Sequence, residues 1–115
     1  MAQATARLDS VFAALADPTR RAIVARLIAR GELAAGDIAG NFAISFPAIS
    51  RHLRVLESAG LIARRAEKQK RLLRAKPETL ALAQSWIEQQ RAHWNAALDR
   101  LEAALAAETP KRRRS

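Results

Sequence analysis

The chain has no cysteine and no tyrosine, and only four glycines and four prolines in 115 residues. Without cysteine there can be no disulfide, thiolate metal site, thiol redox switch or cysteine nucleophile. So little Gly and Pro argues against a fold built mainly of turns, and no apolar run approaches the ~20 residues of a membrane span. The N-terminus MAQATARLDS has neither the apolar run nor the cleavage site of a secretory signal, so the expected location is the cytoplasm. There is no Gly-rich phosphate loop and no paired-His motif, and the two histidines fall on different predicted helices, so no enzyme activity, metal or cofactor is expected.

What the chain does have is apolar residue, 50% of the total and mostly Ala, Leu and Ile, in a length suited to one packed domain. It also has a net charge of +9, unevenly spread. Residues 1–44 carry +1, 45–76 carry +7, 77–110 carry −3 and 111–114 carry +4. A basic block followed by an acidic helix calls for a polyanionic partner, with nucleic acid ahead of an anionic membrane.

Helical periodicity organises most of the chain. Leu8, Phe12 and Leu15 mark a first helix over 6–16 with one buried stripe. Asp17-Pro18 supplies an N-cap and a first-turn proline, Ile23, Val24, Leu27 and Ile28 recur on one side, and Gly31 closes the second helix near residue 30. A short helix over 34–41 buries Ile38. Ser45 is an N-cap for a further helix, with Ile44 placed to staple onto Ile49. In that helix Ile49, Leu53 and Leu56 fall on one face, with Pro47, Arg51, Arg54 and Ser58 almost opposite, and Gly60 ends it. A short helix, a turn and a helix with one apolar and one cationic edge form a helix-turn-helix pattern over about 34–60.

From 61 to 76 the helical stripe disappears. Ile62, Arg64 and Ala66, then Arg71, Leu73 and Ala75, alternate on either side of EKQK, which reads as a β-hairpin wing with a cationic tip; continued helix is the competing reading. Pro77 then starts one long helix to about residue 107. Leu80, Ile87, Trp94 and Leu101 repeat at seven, and Leu98 and Leu105 add a four-residue offset. This seam, in a helix of ~45 Å at 1.5 Å per residue, needs another chain to cover it. The expected fold is therefore mainly α, a winged helix-turn-helix domain over 1–108 with a two-stranded wing and a long C-terminal dimerisation helix. The basic TPKRRRS end is expected to form a disordered tail over 109–115.

The run DPTRRAIVARLIARGELAAGDIAGNFAISFPAISRHLRVLESAGLIARR resembles the ArsR-type winged helix-turn-helix repressors, bacterial dimers that bind operator DNA. The matching segments are DPTRR at 17–21, GEL at 31–33, PAISRHLRVLESAGLI at 47–62 and the basic hairpin after them. The resemblance implies a homodimeric repressor of transcription whose partner is double-stranded operator DNA. The stretch after GEL commonly carries Cys-x-Cys in metal-sensing members, and here those positions are Ala34 and Gly36, so that metal site is absent. His93 is the only histidine of the long helix, too few for a paired site there. Phe46 stands where a polar residue such as Gln often begins the recognition helix, which favours a thymine-methyl contact over a base hydrogen bond.

The candidate DNA contacts are Ser45, Phe46, Pro47, Ala48, Ser50, Arg51, His52 and Arg54 on the helix, and Arg64, Lys68, Lys70 and Arg71 on the hairpin. A plain solvated face is the other reading of the helical arginines. For His52, a structural hydrogen bond or a phosphate contact fits better than base reading. The candidate dimer interface is Leu8, Phe12, Leu80, Ile87, Trp94, Leu98, Leu101 and Leu105. Trp86 and Trp94 fit core or dimer packing better than the lining of an effector pocket. A non-specific architectural DNA- or RNA-binding protein is the alternative function, separated from a repressor by the ratio of specific to random binding.

Overall fold

The computed structural model describes residues 2–108, so the expected tail at 109–115 lies outside the described residues. The chain divides into two compact units, Met1–Ala83 and Gln84–Ser115. In order, the elements are α1 (Ala2–Leu15), α2 (Pro18–Arg30), β1 (Leu33–Ala34), α3 (Ala35–Ala39), α4 (Phe46–Ser58), β2 (Ile62–Glu67), β3 (Lys70–Ala75) and α5 (Pro77–Glu108). Among the described residues no helix is long and apolar enough to cross a membrane.

Helix ends fall where the local chemistry puts them. Asp17 caps α2 by accepting the backbone N–H of Arg20, Pro18 follows at the first helical position, and Gly31 closes the helix with φ of +80°. Ser45 caps α4 by accepting the N–H of Ala48 at 3.3 Å. At its other end Gly60, at φ +78°, donates to the Glu57 carbonyl while Leu61 donates to that of Leu56, both at 3.0 Å. That pair of bonds is a Schellman motif, and it needs the left-handed residue that glycine supplies.

One core joins these pieces. Ile49, Leu53 and Leu56 of α4 are buried with Val11 and Ala14 of α1 and Ile23, Val24 and Leu27 of α2. Ile38, Leu61, Ile62 and Leu73 complete it. Burying side chains of this size contributes ~1.5–3 kcal/mol each, so the three α4 residues alone hold that helix firmly in place.

Several expectations need correction. The buried stripe of α1 runs through Val11 and Ala14, leaving Leu8 and Leu15 half-buried and Phe12 36% exposed, because its centre lies one residue before Phe12. Ile28, assigned to the buried side of α2, is 57% exposed. Ile44 stays 39% exposed although Ile49 is fully buried. The helix expected over 34–41 is shortened to Ala35–Ala39: at its start Leu33 and Ala34 pair with Leu73 and Leu72 of β3, and at its end Gly40 is the C-cap. Gly36 and Gly40 leave little helical propensity to oppose that pairing.

The hairpin therefore belongs to a three-stranded antiparallel sheet in the order β1-β3-β2. Its register pairs the two alternating sets one to one: Ile62 with Ala75, Arg64 with Leu73 and Ala66 with Arg71. Glu67 and Lys70 pair as well, so the turn is tighter than EKQK, a loop of Lys68 and Gln69 only. Lys68 takes the positive φ, +57°, usually given to Gly or Asn.

Candidate nucleic-acid interface

The burial of Ile49, Leu53 and Leu56 fixes which way α4 presents its opposite side. Pro47, Arg51, Arg54 and Ser58 are exposed there, with Ala48 and Ser50 half-buried beside them and Ser45 and Phe46 exposed at the start of the helix. Arg51 and Arg54 line one wall of a shallow groove whose other wall is Ser10 and Ala13 of α1. Among the described residues neither arginine has a hydrogen bond or ion pair, whereas five other arginines do. Two adjacent guanidiniums kept free on a capped, buried-edge helix are available to an outside acceptor.

The start of α4 and the wing meet at a second depression. Phe46 lines it together with Lys70 and Arg71 of β3 and Ala34, Ala35, Gly36 and Asp37 around α3. Lys68 is exposed at the tip beside them. The structure therefore groups Phe46, Lys70 and Arg71, and separately Arg51 and Arg54.

Two candidates are engaged elsewhere. His52 is turned toward α2, where its Nδ1 lies 3.4 Å from Nη1 of Arg20 and 3.9 Å from Oδ2 of Asp17. Arg64, read as a wing contact to DNA, pairs with Glu57 of α4 at 3.1 Å and is half-buried. Its Nε is buried with no partner among the described residues.

Residues that pattern-reading passed over hold this surface in place. Arg20 donates from Nε to the Ala14 carbonyl at 2.7 Å and from Nη2 to that of Ala13 at 3.2 Å, and Arg21 donates to those of Leu15 and Ala16. DPTRR is thus a double cap: its acid begins α2 and its arginines satisfy the last carbonyls of α1. On the sheet, Arg65 reaches Glu32 through Nε at 2.7 Å and Nη2 at 2.8 Å, and Nη2 also lies 2.9 Å from Glu67. The hydrogen bond from Arg65 holds the Glu32 carboxyl below its ordinary pKa against the opposing effect of desolvation, and the same bond raises that of Arg65. An arginine two residues from an acid in a predicted strand was the only sequence signal for this, and it did not point to Glu32, 33 residues away.

In the interface expected between subunits, Leu80 packs against the domain core and so is not part of an outward seam. Along α5, Ile87, Trp94, Leu98, Leu101 and Leu105 are exposed, Trp94 by 66%. Among the described residues no three His, Asp or Glu side chains gather as a metal-ligand group.

Residues 15–65 match the helix-turn-helix domain family. The HTH-type transcriptional regulator Rv2034 of Mycobacterium tuberculosis is 41% identical over 90 residues, covering 78% of this chain and 80% of that protein. The crystal structure of the ArsR family transcriptional regulator RHA00566 superposes with a TM-score of 0.74 at 31% identity, over 79% of this chain and 93% of that one. The homodimeric winged helix-turn-helix DNA-binding domain Mb0332 of Mycobacterium bovis superposes with a TM-score of 0.64 at 26% identity, over 77% and 83%.

Proposed function

The chain belongs to the ArsR-type winged helix-turn-helix transcriptional regulators, and from that membership we propose that it is a homodimeric repressor that reads a two-fold operator through α4. The observation that carries this reading is the pair Arg51 and Arg54, exposed and without partners among the described residues, on the face of α4 opposite Ile49, Leu53 and Leu56. The charge of +7 over residues 45–76 supports it, because phosphate neutralisation dominates affinity for DNA.

In the proposed complex each α4 enters a major groove, with Ser45, Phe46, Pro47, Ala48 and Ser50 near the bases. Phe46 meets a thymine methyl, and at least one of Arg51 and Arg54 donates to guanine O6 and N7. Lys68, Lys70 and Arg71 follow the flanking phosphates. His52 and Arg64 act indirectly, since their polar atoms face Arg20 and Glu57.

The second copy covers the α5 row of Ile87, Trp94, Leu98 and Leu101, a row too apolar to stay in water as a long isolated helix. The homodimeric state of the Mycobacterium bovis domain supports this assembly. Two helices held so that they meet grooves one turn apart define half-sites ~34 Å from centre to centre. Bound in that way, the protein covers promoter DNA and excludes polymerase.

Genomic fragments selected by the purified protein and then footprinted test this reading. One or a few protected sites with two-fold symmetry are expected. Uniform coating of all fragments would instead assign the chain to non-specific architectural binding.

A further inference from the structure

We infer that Glu32 is a positioning residue for the wing, and that an acid on this basic protein strengthens DNA binding by holding the hairpin at the angle from which its tip reaches phosphate. The inference rests on the DNA-binding reading above and adds to it the device that aims the wing.

The geometry is a strap across three strands. Glu32 immediately precedes β1, Arg65 lies in β2, and β3 runs between them. Leu33 pairs with Leu73 and Ala34 with Leu72, while Arg65 pairs with Leu72 from the other side. The Arg65 side chain thus crosses the outer face of β3 to reach Glu32 with two of its nitrogens. The Nη2 atom that contacts Glu32 at 2.8 Å also lies 2.9 Å from Glu67, next to the tip loop. A planar guanidinium held by two carboxylates has little rotational freedom, which a single-point contact would not achieve.

The need for such a strap follows from the sheet itself. β1 has only two residues, so β2 and β3 extend beyond their last partner strand as a two-stranded ribbon, an arrangement weakly stable by itself. Lys68, Lys70 and Arg71 are carried on that unsupported part. Anchoring β2 to the segment ahead of β1 fixes the ribbon to the body of the domain.

The sign of the effect separates this role from ordinary electrostatics. Removing an acid from a DNA-binding protein normally tightens binding, since it lowers repulsion from phosphate. If Glu32 aims the wing, Glu32→Gln weakens binding. Asp9→Asn is the control, removing the same charge from an exposed α1 residue that has no partner among the described residues.

The experiment is a fluorescence-anisotropy titration of the full chain on its selected operator at several salt concentrations. Thermal melts confirm that each variant is folded. Glu32→Gln is expected to lose affinity by about threefold to tenfold, roughly what an ordered ion-pair network contributes. Its salt slope should fall by about 1 to 2 as the tip cations leave the backbone. Asp9→Asn should bind as the wild type does or slightly tighter, with its slope unchanged. Should Glu32→Gln not fold, Arg65→Lys keeps the net charge while losing the fork, and the same loss is expected of it. Wild-type protein that selects no DNA overturns the DNA-binding reading and the inference with it. Wild type that binds, with both variants matching Asp9→Asn, overturns the inference alone.

Discussion

The backbone N–H of Arg20 donates to Oδ2 of Asp17 at 2.9 Å, while the guanidinium of the same Arg20 donates from Nε to the Ala14 carbonyl at 2.7 Å. One residue thus closes the end of α1 and fixes the start of α2, and α4 leans on this corner through His52. The surface offered to DNA is therefore held partly by a cap whose charge depends on pH.

The Asp17 carboxyl lies below its ordinary pKa, first because of the Arg20 backbone hydrogen bond, with desolvation opposing and the charges of His52 and Arg20 assisting. A depressed folded-state value means that its stabilisation is fully present above the unfolded value of about 3.9 and is lost as pH falls through the folded one. Glu32 shifts in the same direction. The melting temperature should drop as pH is lowered from about 5 toward 3, and Asp17→Asn should melt lower at pH 7 yet lose less over that interval. Melting curves at three pH values decide this, and parallel pH profiles for wild type and variant would contradict it.

Lys68 combines a backbone cost with a functional use. At φ +57° a residue with a Cβ is strained by ~1 kcal/mol relative to glycine. Lys68→Gly is expected to melt at the same temperature or a few degrees higher, because the relieved strain offsets the greater chain entropy of glycine. Its DNA affinity should fall alike on operator and random duplex, with a salt slope smaller by ~1. A variant that loses operator binding alone would make the tip a reader of bases.

For the assembly, Trp94 and Leu101 are the most exposed members of the α5 row. The wild type is expected to sediment as a dimer and the variant with both replaced by Glu as a monomer, while the melt of the domain core changes little. Operator affinity should fall steeply, since two half-sites are no longer engaged together. A double variant that sediments as a dimer would move the interface to other residues, with Leu8 next to be tested.

Elements with strong local chemistry were legible in the sequence. Asp17-Pro18, Ser45, Gly60 and Pro77 mark boundaries by local chemistry alone, and α2, α4 and α5 lie close to where those signals put them. Alternation in 62–75 gave the hairpin faces because a period of two is set by the pleat. Long-range partners were not legible. β1 consists of two residues that become a strand only through Leu72 and Leu73, which no local pattern at 33–34 reveals. Arg64 looked like any other wing cation, yet Glu57, on a different element, has drawn it inward. Leu80 matched the heptad of α5, but the helix begins inside the core, and its first turn is claimed by that packing.

The central claim is that α4 reads sequence through its free arginines, and operator affinity against random-duplex affinity for Arg51→Ala and Arg54→Ala tests it most directly. Both side chains point away from Ile49, Leu53 and Leu56, so both variants should melt close to the wild type. At least one of them should lose ~1–3 kcal/mol on operator and much less on random DNA, as the loss of a bidentate guanine contact requires. Equal losses on the two duplexes, or none on either, would contradict the claim.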